Sequence, residues 1–356
     1  MNPARVALIS IVAMVIAFVA PLVGGYDCNA NETVQAEEAV AAHVPAPAVT
    51  QFTRPTTGPT QVEIAVVALD VEHIDDAMQG FSANVLFVSR WSDSRLAHDG
   101  TGDEWLNLDD VWHPRLQVAN LRRASSTLPK IVEVTPDGTV TYRQRLLGEF
   151  SQKLDLSDFP LDQQTLAIQI VSMGNLHDEV VLVTHPEIPS GVVPDVSISD
   201  WEILDSRAGT QPYQPMPGVE PRAGYALEFE AKRFVGYYRT KIIMPLLLIV
   251  AMSWLVFWID PELAGPQISL AVTSVLTLIA YRFMVSGMLP KISYLTRMDW
   301  FTSASTALVF LTLVEATYTV MLTKRGQPER AQTIDRISRW GVPLAFVLVF
   351  VWAFLI

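Results

Sequence analysis

A β-sandwich domain followed by an all-α membrane domain of four helices is the fold predicted for this chain, and three observations carry it. From about residue 61 to about residue 236 the sequence is polar and broken into short alternating or β-branched runs separated by turn residues. From about residue 241 the chain changes solvent class, and four apolar runs follow to its last residue. The excess that lifts mean hydropathy to +0.28 over 356 residues lies in that second part, so the composition divides into two domains.

Residues 1–30 read as a secretory signal. Arg5 precedes an apolar run from Val6 to Val23, then Gly24 and Gly25, with small flanking residues at Cys28-Asn29-Ala30. An uncleaved anchor is the other reading of so long a run. Cys28 is the only cysteine, so a mature domain would hold no disulfide even in an oxidising compartment. Residues 31–60, rich in Ala, Pro, Thr and Glu, are expected to form a disordered lead-in. The domain at 61–236 then offers strands at Gln61 to Leu69, Ala83 to Trp91, Val140 to Leu147, Leu166 to Val171 and Ala226 to Arg233. Pro136-Asp137-Gly138-Thr139 is a strong hairpin turn. Many short strands at this spacing indicate two packed sheets.

The domain at 237–356 carries spans at 242–259, 268–289, 300–322 and 340–356. At about 1.5 Å per helical residue each can cross ~30 Å of hydrocarbon. Pro245 falls in the first turns of its span, where a missing N–H costs least. Lys324, Arg325, Arg330, Arg336 and Arg339 lie between the third and fourth spans and place that linker in the cytoplasm. Counting back three crossings puts the strand-rich domain outside, as the signal requires. Two charges fall within spans. Arg282 is expected roughly 10 Å below the outer end of the second and Glu315 about as far above the inner end of the third. Those depths keep them apart, and each is expected to snorkel or pair at its own interface.

A formal charge of -12 excludes the basic face that nucleic acid needs and would concentrate cations near the exterior domain. The six histidines, at 43, 73, 98, 113, 177 and 185, show no metal spacing, and no nucleophile elbow or phosphate loop occurs. No catalytic residue, metal or cofactor is therefore predicted, and the chain is not read as an enzyme. The second span carries the most suggestive pattern. Ser269, Thr273, Leu276, Ala280 and Phe283 step by four and three residues and share one helix face. Around a symmetry axis the hydroxyls would replace part of an ion's hydration shell, and rings of Leu276 and Phe283 would close the path by dewetting. Small and hydroxyl residues also serve plain helix packing in lipid, so the stripe alone leaves both readings open.

Residues Gln152 to Leu166, enclosing Asp158-Phe159-Pro160-Leu161-Asp162-Gln163-Gln164, resemble the signature loop of pentameric ligand-gated ion channels. Animal members close that loop with two cysteines, whose places are taken by Gln152 and Leu166, as in the cysteine-free bacterial branch. Further matches run in order along the chain: Ile74-Asp75-Asp76, Trp91-Ser92-Asp93, Val111-Trp112-His113-Pro114, Thr135 to Tyr142, Lys232-Arg233, Leu289-Pro290-Lys291 and Gln327 to Arg339. The resemblance implies a homopentamer in a bacterial inner membrane, with a periplasmic ligand-binding domain and a pore lined by the second span. It also implies a coupling role for Arg233, Asp162 and Asp76, with Phe159 and Pro160 in the same loop. One guanidinium between two carboxylates in a partly dry junction would link domain to helices; a surface salt bridge of small value is the plainer alternative.

The family's ligand pocket lies between subunits. The matching positions here are Trp112, Met173 within Val171-Ser172-Met173, and Tyr213 in a Pro- and Gly-rich run, with Arg143 and Arg145 facing from the neighbouring chain. Two arginines and few rings suit a carboxylate better than an amine. One bacterial branch that resembles this chain opens in acid. Asp70 matches one of its acids, but Gln79 and Leu278 replace a second acid and a pore histidine. Asp75, His73 and His113 are further groups able to titrate. The connector from Asp260 to Gln267 lacks the glutamate ring usual in cation channels of the family, while Glu262 lies further below and no basic ring is present. The expectation is a channel for monovalent ions, cations rather than anions, opened by a small ligand or by protons. A membrane-anchored periplasmic sensor that does not conduct is the rival reading.

Overall fold

The computed structural model describes residues 52–287 and 292–355. The expected signal at 1–30, most of the lead-in and the Leu289-Pro290-Lys291 motif lie outside the described residues. Among the described residues twelve strands come first: β1 Thr60–Asp75, β2 Gly80–Ser92, β3 Glu104–Asn107, β4 Leu116–Val118, β5 Leu121–Ser126, β6 Ile131–Val134, β7 Thr139–Ser151, β8 Gln163–Leu176, β9 Val180–Thr184, β10 Gly191–Val192, β11 Trp201–Thr210 and β12 Arg222–Arg233. One sheet runs β10-β1-β2-β7-β6-β3, with β9 on β1 and β5 on β7; the other runs β11-β12-β8-β4. The sheets close on an aromatic seam, where Phe81 of β2 stacks on Phe150 of β7 at 5.0 Å and meets Phe229 of β12 edge-on at 5.6 Å. All five predicted strands fall inside β1, β2, β7, β8 and β12.

The predicted hairpin turn joins β6 to β7. Gly138 takes φ 84°, which a Cβ would oppose, and that Cβ would also lie 2.6 Å from the Asp93 carbonyl. Asp137 accepts from the Thr139 amide and hydroxyl at 3.1 and 3.0 Å. The disorder expected up to residue 60 does not extend through its last residues. Arg54 donates to the Gly58 and Glu179 carbonyls at 3.0 and 2.9 Å, and Arg95 donates to Thr53. A guanidinium with carbonyls in reach fixes a stretch that composition alone leaves loose.

Four helices follow, each long and apolar enough to cross a membrane: α1 Gly236–Trp258, α2 Ala264–Ser286, α3 Arg297–Lys324 and α4 Pro328–Phe354. α1 begins before its apolar run, yet its regular α-helical stretch starts at Met244, so Pro245 keeps a first-turn position there while lying inside the continuous helix. The backbone answers with a π-turn over Arg239–Ile243, in which the Met244 amide donates to the Arg239 carbonyl. α3 opens on a reciprocal cap between Thr296 and Asp299. α4 starts at Pro328, well before the expected 340, so Arg330, Arg336 and Arg339 belong to a helix and not to a linker. That shift brings Asp335 of α4 against Glu315 of α3, with the oxygens of both acids buried. Glu315 therefore faces another acid and does not snorkel. Arg282 donates to Thr306 of α3 at 3.2 Å.

Candidate gating junction and pore face

On β12 the odd-numbered residues from Tyr225 to Arg233 are all buried, so the final arginine occupies a core position. Strand register selects its company. Lys232 pairs with Gln163, which brings Arg233 opposite Asp162, and on the other side Arg233 pairs with Trp201 of β11. Opposed residues present their side chains to the same face. Arg233 Nε donates to Asp162 Oδ1 at 2.8 Å and its Nη2 to Oδ2 at 3.1 Å, a bidentate pair. Nη2 also donates to Asp76 Oδ1 at 2.7 Å, and Nη1 to the Tyr238 hydroxyl at 3.2 Å. The guanidinium lies 4.1 Å from the Trp201 ring centre and 4.9 Å from that of Phe159.

One cation thus touches the β1–β2 turn, the signature loop, β11 and α1. The Arg233 and Asp162 side chains are 2% and 1% exposed, so this is no surface pair. Burial works against the arginine's charge, yet the hydrogen bonds and charges of Asp162 and Asp76 outweigh it and hold its pKa above the ordinary value. Burial also pushes the Asp76 carboxyl up; Arg233 opposes this, while the charges of Asp162 and Asp200 add to it. Phe159 is fully buried, follows the same loop into a cis bond with Pro160, and meets Tyr238 edge-on at 4.8 Å.

The loop is fastened to the membrane helices through backbone groups. A helix leaves its first amides without internal partners. Here the Arg297 and Met298 amides that open α3 donate to the Ser157 and Phe159 carbonyls at 3.0 and 3.3 Å. The Arg297 guanidinium reaches Asp158 at 2.6 Å, and the Leu156 amide donates to the Tyr294 hydroxyl at 2.9 Å. Gln79, at φ 52°, ties the β1–β2 turn to the same loop by donating to the Asp76 carbonyl at 2.7 Å and accepting from the Leu154 amide at 2.9 Å.

α2 has two faces. Gln267, Ala271, Ser274, Leu278, Tyr281 and Val285 form a buried stripe against the other helices. Two residues further on each turn lie Ser269, Thr273, Leu276, Ala280 and Phe283, all exposed on the opposite side. Leu276 is 60% and Phe283 77% exposed, which a helix packing both faces within one chain would not leave.

Sequence comparison agrees with this architecture domain by domain. Residues 49–211 match the neurotransmitter-gated ion-channel ligand binding domain, and residues 242–330 match the neurotransmitter-gated ion-channel transmembrane region. The chain belongs to the neurotransmitter-gated ion-channel family. It is 28% identical over 296 residues to a proton-gated ion channel of Gloeobacter violaceus, covering 82% of this chain and 81% of that protein. It is 27% identical over 301 residues to the gamma-aminobutyric acid receptor subunit beta-4 of Gallus gallus, covering 80% of this chain but 61% of that subunit.

The other positions matched to this family are placed less uniformly. Trp112 is 4% exposed and packs edge-on against Trp91 inside the subunit, so its ring is core and not an open ligand contact. Met173 is exposed on β8, and Tyr213 makes a backbone bridge to Arg222. Arg143 pairs with Glu133, while Arg145 is exposed and donates to Asn84 at 2.9 Å through its Nε. Asp70 accepts from the Ser197 amide and hydroxyl at 2.6 and 2.8 Å, and the amide bond holds its carboxyl below the usual carboxylate range. That is the wrong direction for a sensor of mild acid. Asp75 caps the β1–β2 turn by accepting from Ala77 and Met78, and His73 is exposed. Leu278, in place of a histidine, faces the helix core. Trp201, Tyr238 and Tyr294 are junction residues that sequence reasoning missed. Trp201 had one available signal, since it begins a strand directly after Ile198-Ser199-Asp200, but its pairing with Arg233 is a matter of register.

Proposed function

We propose that five copies of this chain form a ligand- or proton-gated channel in a bacterial inner membrane, with the strand-rich domain in the periplasm and α2 lining the pore. The opposition of the two α2 faces is the observation that carries the reading. A helix with one stripe buried in its own bundle and the other exposed supports a shared axis, because one exposed stripe cannot enclose water. A movement of the sandwich would pass through Arg233 and the signature loop to α1 and α3, and so move Leu276 and Phe283 off the axis.

Cation selectivity is the preferred reading. The Thr273 hydroxyl donates to the Ser269 carbonyl at 2.8 Å, which turns its lone pairs outward as acceptors for a partly dehydrated cation. Glu262 is exposed beyond that end of the helix, and the net charge is -12. If protons open the pore, Asp76 is the better sensor: its pKa is raised and its partner is the coupling arginine. The experiment is current through purified full-length protein in planar bilayers, with the outer pH stepped from about 7.5 to about 4 under a salt gradient. Acid-evoked current reversing at the cation potential is the expected result. Silence at every pH and toward panels of carboxylates and amines would refute the channel reading.

A further inference from the structure

A cavity of about 600 Å³ opens where β1, the segment before β11 and the start of α1 converge. Its chemistry differs from that of the junction core beside it. Glu72 and Asp200 supply two carboxylates, and His73 stands next to Glu72. Tyr237 and Tyr238 meet edge-on with ring centres 5.5 Å apart and planes at 86°, giving two walls of a corner, and Phe234, half exposed, adds a third ring. No Lys or Arg is among the described residues that line it. Arg233, which donates to the Tyr238 hydroxyl and lies 5.8 Å from its ring centre, does not line the cavity and is already matched by Asp162 and Asp76, so the lining keeps a negative balance.

Perpendicular aromatic faces with carboxylates at the rim select one kind of ligand. The ring faces attract a cation that carries an apolar shell, and the acids set the sign. An anion would be repelled, and a neutral apolar molecule would leave the carboxylates unused. We propose that this cavity binds a small organic ammonium ion. The volume falls within the ordinary range for small-molecule sites. Occupancy would bear on the coupling residues, because Tyr238 accepts from Arg233 and the Phe234 amide donates to the Asp200 carbonyl at 2.9 Å. Binding here does not depend on whether the chain conducts.

The test is calorimetric titration of full-length protein in nanodiscs with choline and with 3,3-dimethylbutan-1-ol, which replaces the ammonium nitrogen by carbon. Choline should bind saturably and at least about tenfold tighter than the neutral isostere. Asp200→Asn and Tyr237→Leu should each weaken choline by about fivefold or more, and Glu72→Gln, at an exposed position that tolerates change, should weaken it too. Tyr213→Ala, at the candidate pocket between subunits, should leave choline affinity unchanged. Absence of saturable choline binding, equal affinity for the isostere, or sensitivity to Tyr213→Ala with indifference to Asp200→Asn and Glu72→Gln would each overturn the assignment.

Discussion

Arg233→Gln is the sharpest perturbation of the junction, because it removes the charge and keeps much of the volume. In the native protein the guanidinium is 2% exposed, holds Asp162 at 2.8 and 3.1 Å and Asp76 at 2.7 Å, and rests against Trp201. The variant leaves a fully buried Asp162 beside a second carboxylate with no cation between them. Breaking a buried pair in this way costs on the order of 3–5 kcal/mol, whereas an exposed pair would cost under ~1 kcal/mol. No solvent discount applies to Arg233 or Asp162; the Asp76 arm, with 18% of its side chain exposed, contributes the smaller share. The assay is denaturant unfolding of the full chain in detergent followed by tryptophan fluorescence, paired with bilayer currents. Arg233→Gln should assemble, unfold at clearly lower denaturant and pass no current. Adding Asp162→Asn should recover about 1.5–3 kcal/mol, since an amide relieves the orphaned carboxylate. A loss below ~1 kcal/mol, additive with Asp162→Asn and accompanied by normal currents, would refute both the burial argument and the coupling role.

Leu276→Ser should lower the stimulus for half-opening by about tenfold, because a hydrated ring no longer favours the dry closed state; unchanged or reduced sensitivity in concentration-response currents counts against Leu276 as the gate. Asp76→Asn should flatten the pH dependence of unfolding above ~4. The raised folded-state pKa makes the Asp76 contribution complete below its unfolded value of about 3.9 and lost as pH rises through the folded value, while asparagine has no proton to lose. Parallel stability profiles for the two proteins would contradict this. Glu315→Gln and Asp335→Asn should each raise stability by about 1 kcal/mol in thermal melts, since an amide relieves one of two acids crowded into a buried site. A lower melting temperature in both variants would refute the reading of this pair as two crowded acids.

The residues announced the strands, the spans and the shared face of the α2 stripe because each rests on a local run or periodicity. Arg233 was legible through the family resemblance and not through periodicity; the structure adds that it falls on the inward phase of β12, where an unpaired charge would be too costly to bury. What spacing cannot give is the direction of a side chain within a folded layer. Trp112 fits a pocket motif yet turns into the core against Trp91. The start of α4 was missed because Glu329, Arg330 and Arg336 make its first turns polar; Pro328, at a position helices favour for their first residue, was the overlooked signal. The Glu315–Asp335 contact followed out of reach, since it exists only once α4 is extended backward. Trp201 and Tyr238 became partners of Arg233 through register and through the turn into α1, both non-local facts.

In the proposed channel, the bonding around the junction bears on where movement would enter α2. The signature loop is joined to α3 by two backbone amides and by the Asp158–Arg297 pair, so the loop and the head of α3 must move together. The loop is joined to the β1–β2 turn by Gln79, and both meet α1 through Arg233 and Tyr238. Along α2, two polar bonds come from successive residues near its C-terminal end: Tyr281 donates to the Ile242 carbonyl of α1 at 2.8 Å, and Arg282 donates to Thr306 of α3. Both are within two residues of Phe283. Leu276, a further two turns down, lies along a stretch held mainly by the apolar stripe on the far face. In the proposed pentamer, displacement of α1 and α3 would therefore act on α2 at the level of Phe283. A rigid α2 would carry Leu276 in the same tilt, so the two rings should leave the axis together.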